Sequence, residues 1–354
     1  MTNPDLTAEL NYNERLTKIK NSLSCWECRR LTLYGKITVL KSLIASQLVY
    51  ILSPLTTNHR VLKEINSLFY DFLWNGKGDK IKWEVMINDY AKGGLNMIDI
   101  ESFNKGLKTT WVKKYIHFNN HRKWKLFFDL ELRNYGGRAF FSGNLTKSDL
   151  LKHFKLSYPF IVEIANIWSE ITFENNVKST DHFRSLNLWH DSLLRINNKP
   201  IYYEAWLQKG IDKVSHLMKD SDAFLSFHEF KERYDVIETN YLAFYGLLSA
   251  LRTLRNKIRA PVRNNTNTQY ESFYMKFMKA NKPSKQAYKK LISLKQKCPT
   301  NSQEKWAVDC ASEAREPIDW EAAYQLSFQC TKSTKLIIFQ FKLLHRRLAT
   351  NDFL

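Results

Sequence analysis

Apolar side chains in this sequence recur every three or four residues over long stretches, a spacing that builds one face of an α-helix and not of a strand. Tyr12, Leu16, Ile19 and Leu23 predict a first helix; Ile37, Leu40, Ile44, Leu48 and Ile51 predict a second, which Pro54 ends. A third is expected from Arg60 to Trp74, with Val61, Ile65, Leu68, Phe69, Phe72 and Leu73 inward and a turn at Asn75-Gly76-Lys77-Gly78-Asp79. Gly93-Gly94 reads as a reversal. After it Ile100, Phe103, Leu107 and Trp111 form a core stripe, which turns Lys105 and Lys108 toward water or phosphate.

The middle of the chain is less regular. Gly136-Gly137, Asn175-Asn176 and Asn197-Asn198 punctuate short apolar segments and read as loops. Periodicity returns from Phe227 to Arg259, where Tyr241, Phe244, Tyr245, Leu248 and Leu251 are expected inside and Arg252, Arg255, Lys257 and Arg259 make a basic end. Asn264-Asn265-Thr266-Asn267-Thr268 is the best linker candidate, with a boundary expected near Pro261 to Thr268. A Lys-rich helix from Ser284 to Lys297 and a last helix from Ser333 to Leu348, with Ile337, Phe341, Leu344 and Leu348 on one face, follow. Strand-like alternation is sparse, so the expected class is mainly α with at most one or two hairpins.

The 354 residues suffice for a sizeable core, and 44% hydrophobic with 14% aromatic residues exclude a disordered chain. The net charge of +19 on a folded chain points to a polyanionic partner. Five scattered cysteines do not form the even framework of a small secreted domain, and Met1 to Leu10 carries Asp5 and Glu9 with no apolar run. An intracellular chain, nuclear or cytoplasmic, is therefore expected. The longest uncharged stretch, Ser42 to His59, is broken by seven polar or proline positions, short of the roughly 20 apolar residues of a spanning helix.

Motifs for catalysis are missing. No Asp-Asp pair occurs, and Asp220 with Asp222, or Asp129 with Glu131, reads as ordinary solvated surface. Cys25 and Cys28 with His117 and His121 lack the spacing of a zinc finger; the cysteines read as small core-side residues flanking Trp26, the histidines as a solvated pair. Neither a phosphate-binding glycine loop nor a nucleophile elbow is present. No catalytic residue, metal ligand or cofactor is assigned.

What remains is basic helix faces interleaved with aromatics. Arg29, Arg30, Lys36 and Lys41 form one cluster; Lys105 and Lys108 lead a second that runs to Lys125; Lys289 and Lys290 centre a third, from Lys285 to Lys297. A charge run is usually a solvated face, but three together on a strongly basic chain favour phosphate contact. The tryptophans are read as core before base-stacking platforms.

The run from Trp26 through Cys28-Arg29-Arg30-Leu31-Thr32-Leu33-Tyr34-Gly35-Lys36-Ile37-Thr38-Val39-Leu40-Lys41-Ser42-Leu43 to Tyr50 resembles the segment directly after the palm in LINE-type (non-LTR) retrotransposon reverse transcriptases. Phe72-Leu73-Trp74-Asn75-Gly76-Lys77, Lys80-Ile81-Lys82 and Gly93-Gly94-Leu95-Asn96-Met97-Ile98-Asp99 are similar to that family's next stretch in order and spacing. Leu343-Leu344-His345-Arg346-Arg347-Leu348-Ala349-Thr350-Asn351 is similar to the helix before its C-terminal Cys/His knuckle. The resemblance implies a helical thumb, Arg29, Arg30, Lys36 and Lys41 facing a nucleic acid backbone, and as partners an RNA or DNA template-primer duplex and the catalytic palm of a parent reverse transcriptase. Gly35 would permit close approach of the duplex, or is a plain helix-start glycine. The family's Tyr-x-Asp-Asp block, endonuclease and knuckle have no counterpart in these residues, so the chain is expected to be a non-catalytic slice of such a polyprotein. The alternative is a domesticated helical module that binds an acidic protein.

The expected organisation is a thumb-like bundle over 1–80, a post-thumb segment with the Gly-Gly turn over 81–130, an irregular helical middle over 131–262 and a Lys-rich helical segment over 263–354.

Overall fold

A computed structural model describes residues 4–78, 80–117, 122–236, 240–258, 271–310 and 317–348. The chain is mainly α. Among the described residues the strand content is one hairpin, Arg195–Ile196 against Lys199–Pro200, and two isolated bridges. Asn197 and Asn198 close that hairpin with φ of 52° and 62°, the left-handed pair that a two-residue turn demands and asparagine tolerates.

Two compact units form. One comprises residues 1–107 and 288–354, the other residues 108–287. The boundaries expected at 80, 130 and 262 do not coincide with them, and the linker candidate Asn264 to Thr268, with the boundary region from Pro261, lies outside the described residues. In the first unit, sequence-distant helices share a core.

Here the Pro4–Glu27 helix buries Tyr12, Leu16, Ile19 and Leu23, as its period dictates. The continuous helix Leu33–Leu52 begins where the Thr32 hydroxyl accepts the Gly35 N–H, and it passes through one π turn at Leu40–Ile44. By length and apolarity it could cross a membrane, but Ile37, Leu40, Ile44, Leu48 and Leu52 are buried in this core, so it reads as a core helix. A Cβ added at Gly35 would meet only ordinary contacts at 3.6 Å or more, so packing among the described residues does not itself require glycine there. The His59–Trp74 helix adds Leu62, Ile65, Phe69, Phe72 and Leu73 and ends at Asn75 in the left-handed conformation. From the far end of the sequence, Ile338 and Phe341 of the Thr334–Leu344 helix join the same core, and Phe328 packs on Tyr90 with ring centroids 4.2 Å apart.

The Gly93-Gly94 reversal has a steric cause. Gly93 has φ of 75° with the Tyr324 ring against it, and a Cβ at Gly94 would lie 2.1 Å from the backbone oxygen of Asn88. No side-chain movement relieves a clash with backbone.

The second unit, most of it expected as an irregular helical region punctuated by loops, has a dense aromatic core. Phe183, Trp189, Trp206, Phe230 and Phe244 centre one cluster. Tyr115, Phe128 and Phe141 pack together nearby in sequence order, and Trp168 of the Pro159–Thr172 helix meets Phe277 at 5.1 Å. The helix expected from Phe227 to Arg259 is two, Phe227–Tyr234 and Tyr241–Asn256, and Tyr241 and Tyr245 are exposed where burial was expected.

The Ile100–His117 helix corrects a second expectation. Its inner face is Ile100, Asn104, Lys108, Val112 and Tyr115, whereas Phe103, Leu107 and Trp111 are only partly covered. The buried row steps by four residues as far as Val112 and then by three to Tyr115, and a lysine lies in its middle.

Candidate functional site

In the first unit, two adjoining cavities of about 830 and 570 Å³ share Lys82, Glu84, Lys297 and Arg347 in their walls and so form one groove. Its frame is backbone. Lys297 donates its N–H to the Glu84 carbonyl at 3.3 Å and accepts from the Asn88 side-chain amide at 2.8 Å, which joins segments more than two hundred residues apart. Trp83 packs on Tyr70 with ring centroids 4.8 Å apart and the planes tilted by 39°, and it donates its indole N–H to Asp99 Oδ1 at 3.1 Å. At the other end, the Trp306 indole donates to the Leu344 carbonyl at 3.1 Å, and the Arg346 guanidinium lies 5.0 Å over that indole while pairing with Asp309.

Charge in the groove is uneven. Its walls carry Lys80, Lys82, Lys295, Lys297, Lys305, Arg346 and Arg347 against Glu84, Asp99 and Glu101. Lys295 is committed to two of these acids, with Nζ 2.9 Å from Asp99 Oδ2 and 2.7 Å from Glu101 Oε2. Burial pushes the Asp99 carboxyl up, but hydrogen bonds from Ser102 and Lys295 outweigh it and hold the group below its ordinary value. Lys297 reaches Glu84 at 3.3 Å but stays mostly exposed. Lys80, Lys82, Lys305 and Arg347 are exposed too, so the open side of the groove is positive. Such an arrangement can take phosphates along a chain, with the indole and phenol rings available beside them.

The eight residues expected to face nucleic acid separate into three kinds, and none lines this groove. Arg29, Arg30, Lys289 and Lys290 are exposed, Arg29 lying 4.4 Å over the Trp26 ring. Lys41 is exposed but donates to the Asn96 carbonyl at 3.0 Å, and Lys105 pairs with Glu101 at 2.9 Å. Lys36 and Lys108 contradict the expectation. The Lys36 ammonium is buried and donates to the carbonyls of Phe72 and Leu73 and to Asn75 Oδ1, while Lys108 has no exposed surface and pairs with Glu163. An ammonium spent on buried acceptors has no face left for a surface ligand.

Sequence reasoning missed the groove because its cations are scattered in pairs. A signal existed: Lys80-Ile81-Lys82 and Arg346-Arg347 both fall in the blocks that carry the family resemblance. Cys25 and Cys28 are exposed, correcting their reading as core-side residues, and His121 lies outside the described residues. Among the described residues, no three His, Cys, Asp or Glu side chains converge as metal ligands would.

No protein-family profile matches the chain. It is similar to an Arabidopsis thaliana protein that carries a provisional ribonuclease H name, at 25% identity over 107 residues, 28% of this chain and 17% of that protein. The chain thus spans less than a fifth of the length of the curated relative it matches.

Proposed function

We propose that the chain holds the sugar-phosphate backbone of a template-primer duplex, RNA or DNA, without reading its sequence and without catalysis of its own. On this reading it is the thumb and C-terminal linker of a LINE-type reverse transcriptase, and its other partner is the palm of that enzyme. The observation that carries the proposal is the groove walled by Lys80, Lys82, Lys297, Lys305 and Arg347, an open positive face with aromatic rings beside it. Support also comes from the sequence blocks that resemble the family and from the similarity to a protein named for a nuclease of nucleic acids.

Backbone binding of this kind releases counterions, so affinity falls by roughly tenfold or more between about 50 and 200 mM salt. Fluorescence anisotropy of a labelled RNA–DNA hybrid at the two salt concentrations tests it. Absent binding at low salt, or binding indifferent to salt, removes the reading.

A helical module that binds an acidic protein is the second reading. Leu126, Phe127 and Leu130 stand exposed on the Lys123–Leu132 helix beside the exposed Lys123, which favours it. Capture of an acidic protein that survives excess nucleic acid would select this reading over the first.

A further inference from the structure

The second unit contains a cavity of about 620 Å³, within the range of small-molecule sites. Its charge is opposite to that of the chain. Glu174, Asp191, Asp212 and Glu271 line it against Lys213 and Lys279, and Lys279 is already paired with Glu271 at 2.8 Å.

Asp191 separates this site from a chance cluster of surface acids. It is 1% exposed, and its Oδ1 accepts the Leu193 N–H at 2.8 Å and the Asn144 side-chain amide at 3.2 Å. Its Oδ2 accepts no hydrogen bond from any described residue. Asn144 is itself fixed, donating to the Glu174 carbonyl and accepting the Glu174 N–H at 2.8 Å, so the strand of chain carrying Glu174 is tied to the same wall. A buried carboxylate with one oxygen held and the other open into a cavity is half of a charge-assisted hydrogen bond. The missing half is a donor with positive charge.

We propose that this cavity binds a small organic cation, one carrying an ammonium or guanidinium group, with Oδ2 of Asp191 as its anchor. A metal ion fits less well, because among the described residues no three His, Cys, Asp or Glu side chains converge. Asp212, beside His216 at 3.2 Å, adds negative charge, while Glu174, 4.0 Å from the buried His182, is already paired with Lys178 at 3.3 Å. Tyr274, its hydroxyl 3.2 Å from Ser142 Oγ, lies in the same wall.

Burial raises the Asp191 carboxyl to about 7 against the opposing pull of its hydrogen bonds and of Arg195, with Asp149 adding to the rise. A bound cation favours the ionised form, so binding expels a proton and tightens as pH rises through neutrality. His182, held low by burial, stays neutral there and does not compete.

The test titrates the full chain with agmatine, which has a guanidinium at one end and an ammonium at the other, by isothermal calorimetry, with n-butanol as the uncharged probe and magnesium chloride as the metal. Saturable agmatine binding, no butanol binding, and a loss of at least about tenfold in Asp191→Asn are expected. No saturable heat, equal affinity in Asp191→Asn, or tighter magnesium binding would overturn the proposal. If Asp191→Asn melts well below the native chain, the unaltered protein at about pH 6 and pH 8 decides: tighter binding at the higher pH, with more proton release on binding at the lower pH, supports the site, and equal affinity refutes it.

Discussion

The ammonium of Lys36 donates to the carbonyl oxygen of Phe72 at 2.5 Å, so one helix supplies a cation to the C-terminal end of another. Helix C-termini leave carbonyls unsatisfied and carry partial negative charge, and Lys36 also reaches Leu73 O and Asn75 Oδ1. Lys36→Met should therefore cost about 2–3 kcal/mol, since charged hydrogen bonds are lost and buried acceptors orphaned. Denaturant unfolding checks this, with Lys289→Met, at an exposed position, expected within about 0.5 kcal/mol of the native chain.

Lys108 and Glu163 form an ion pair in which the lysine has no exposed surface. Removing one partner strands a charge, so Lys108→Met and Glu163→Gln should each destabilise by about 3 kcal/mol. The double variant should cost clearly less than their sum. Additive losses in a double-mutant cycle would mean the pair is not coupled.

On the proposed reading, nucleic-acid affinity rests on Lys80, Lys82 and Arg347, outside the clusters that charge density picks out, together with Lys297, which lies inside one. Replacing Lys80, Lys82 and Arg347 together by alanine should lower the slope of log affinity against log salt by roughly 2–3, at about 0.7–0.9 per phosphate contact. Replacing the buried Lys36 should leave that slope unchanged. Equal slopes in all three proteins would dissociate the groove from the binding.

Gly94 lies against backbone rather than side chain. Gly94→Ala should unfold the first unit or cost upwards of about 3 kcal/mol, because the Asn88 carbonyl cannot move aside without breaking its bond to the Asn96 N–H at 2.7 Å. A melting temperature equal to the native chain's would show that the loop relaxes freely.

His345 gives the first unit an acid-sensitive element. Burial lowers it to about 4, and its ring Nε2 bonds the Gly93 carbonyl at 2.8 Å. Because the folded value lies below the unfolded one near 6.5, its contribution is present above that value and is lost as pH falls toward 4, about 3 kcal/mol in all. In the second unit His190, also lowered to about 4, acts in the same direction, whereas Asp191, raised to about 7, gains stability on acidification and opposes it. Stability of His345→Gln measured from about pH 7 to 4.5 should fall less steeply than that of the native chain. Identical slopes would place the histidine outside the linkage.

The helices of the first unit were legible because their burial is one-sided. Tyr12, Leu16, Ile19 and Leu23 face a single core, and a period near 3.6 residues encodes that geometry directly. The turn at Asn75 and the Gly93-Gly94 reversal were legible for a similarly local reason, since left-handed backbone and close approach select these residue types. Lys36 and Lys108 carried a weaker signal. Lys36 stands three residues after Leu33 and four before Leu40, and Lys108 stands four before Val112, so both share a face with core residues. Reading them as lysines first hid that placement.

The second unit was the least legible part. Its core is built from aromatics in short helices and loops, such as Trp189, Trp206 and Phe230, whose contacts follow no local period.

The sequence by itself determined the helical class, the phase of the regular helices, the sites where glycine is required and the total charge, because each follows from residue type and near-neighbour spacing. Only the tertiary structure decided which cations remain outside. Exposure depends on every surface packed against a helix, and those surfaces come from residues more than two hundred positions away, as Lys297 against Glu84 and His345 against Gly93 show. The same long-range packing sets Lys36 and Lys108 in the interior, lines up Lys80, Lys82 and Arg347 along one groove, and encloses Asp191 in an acidic cavity of a basic protein.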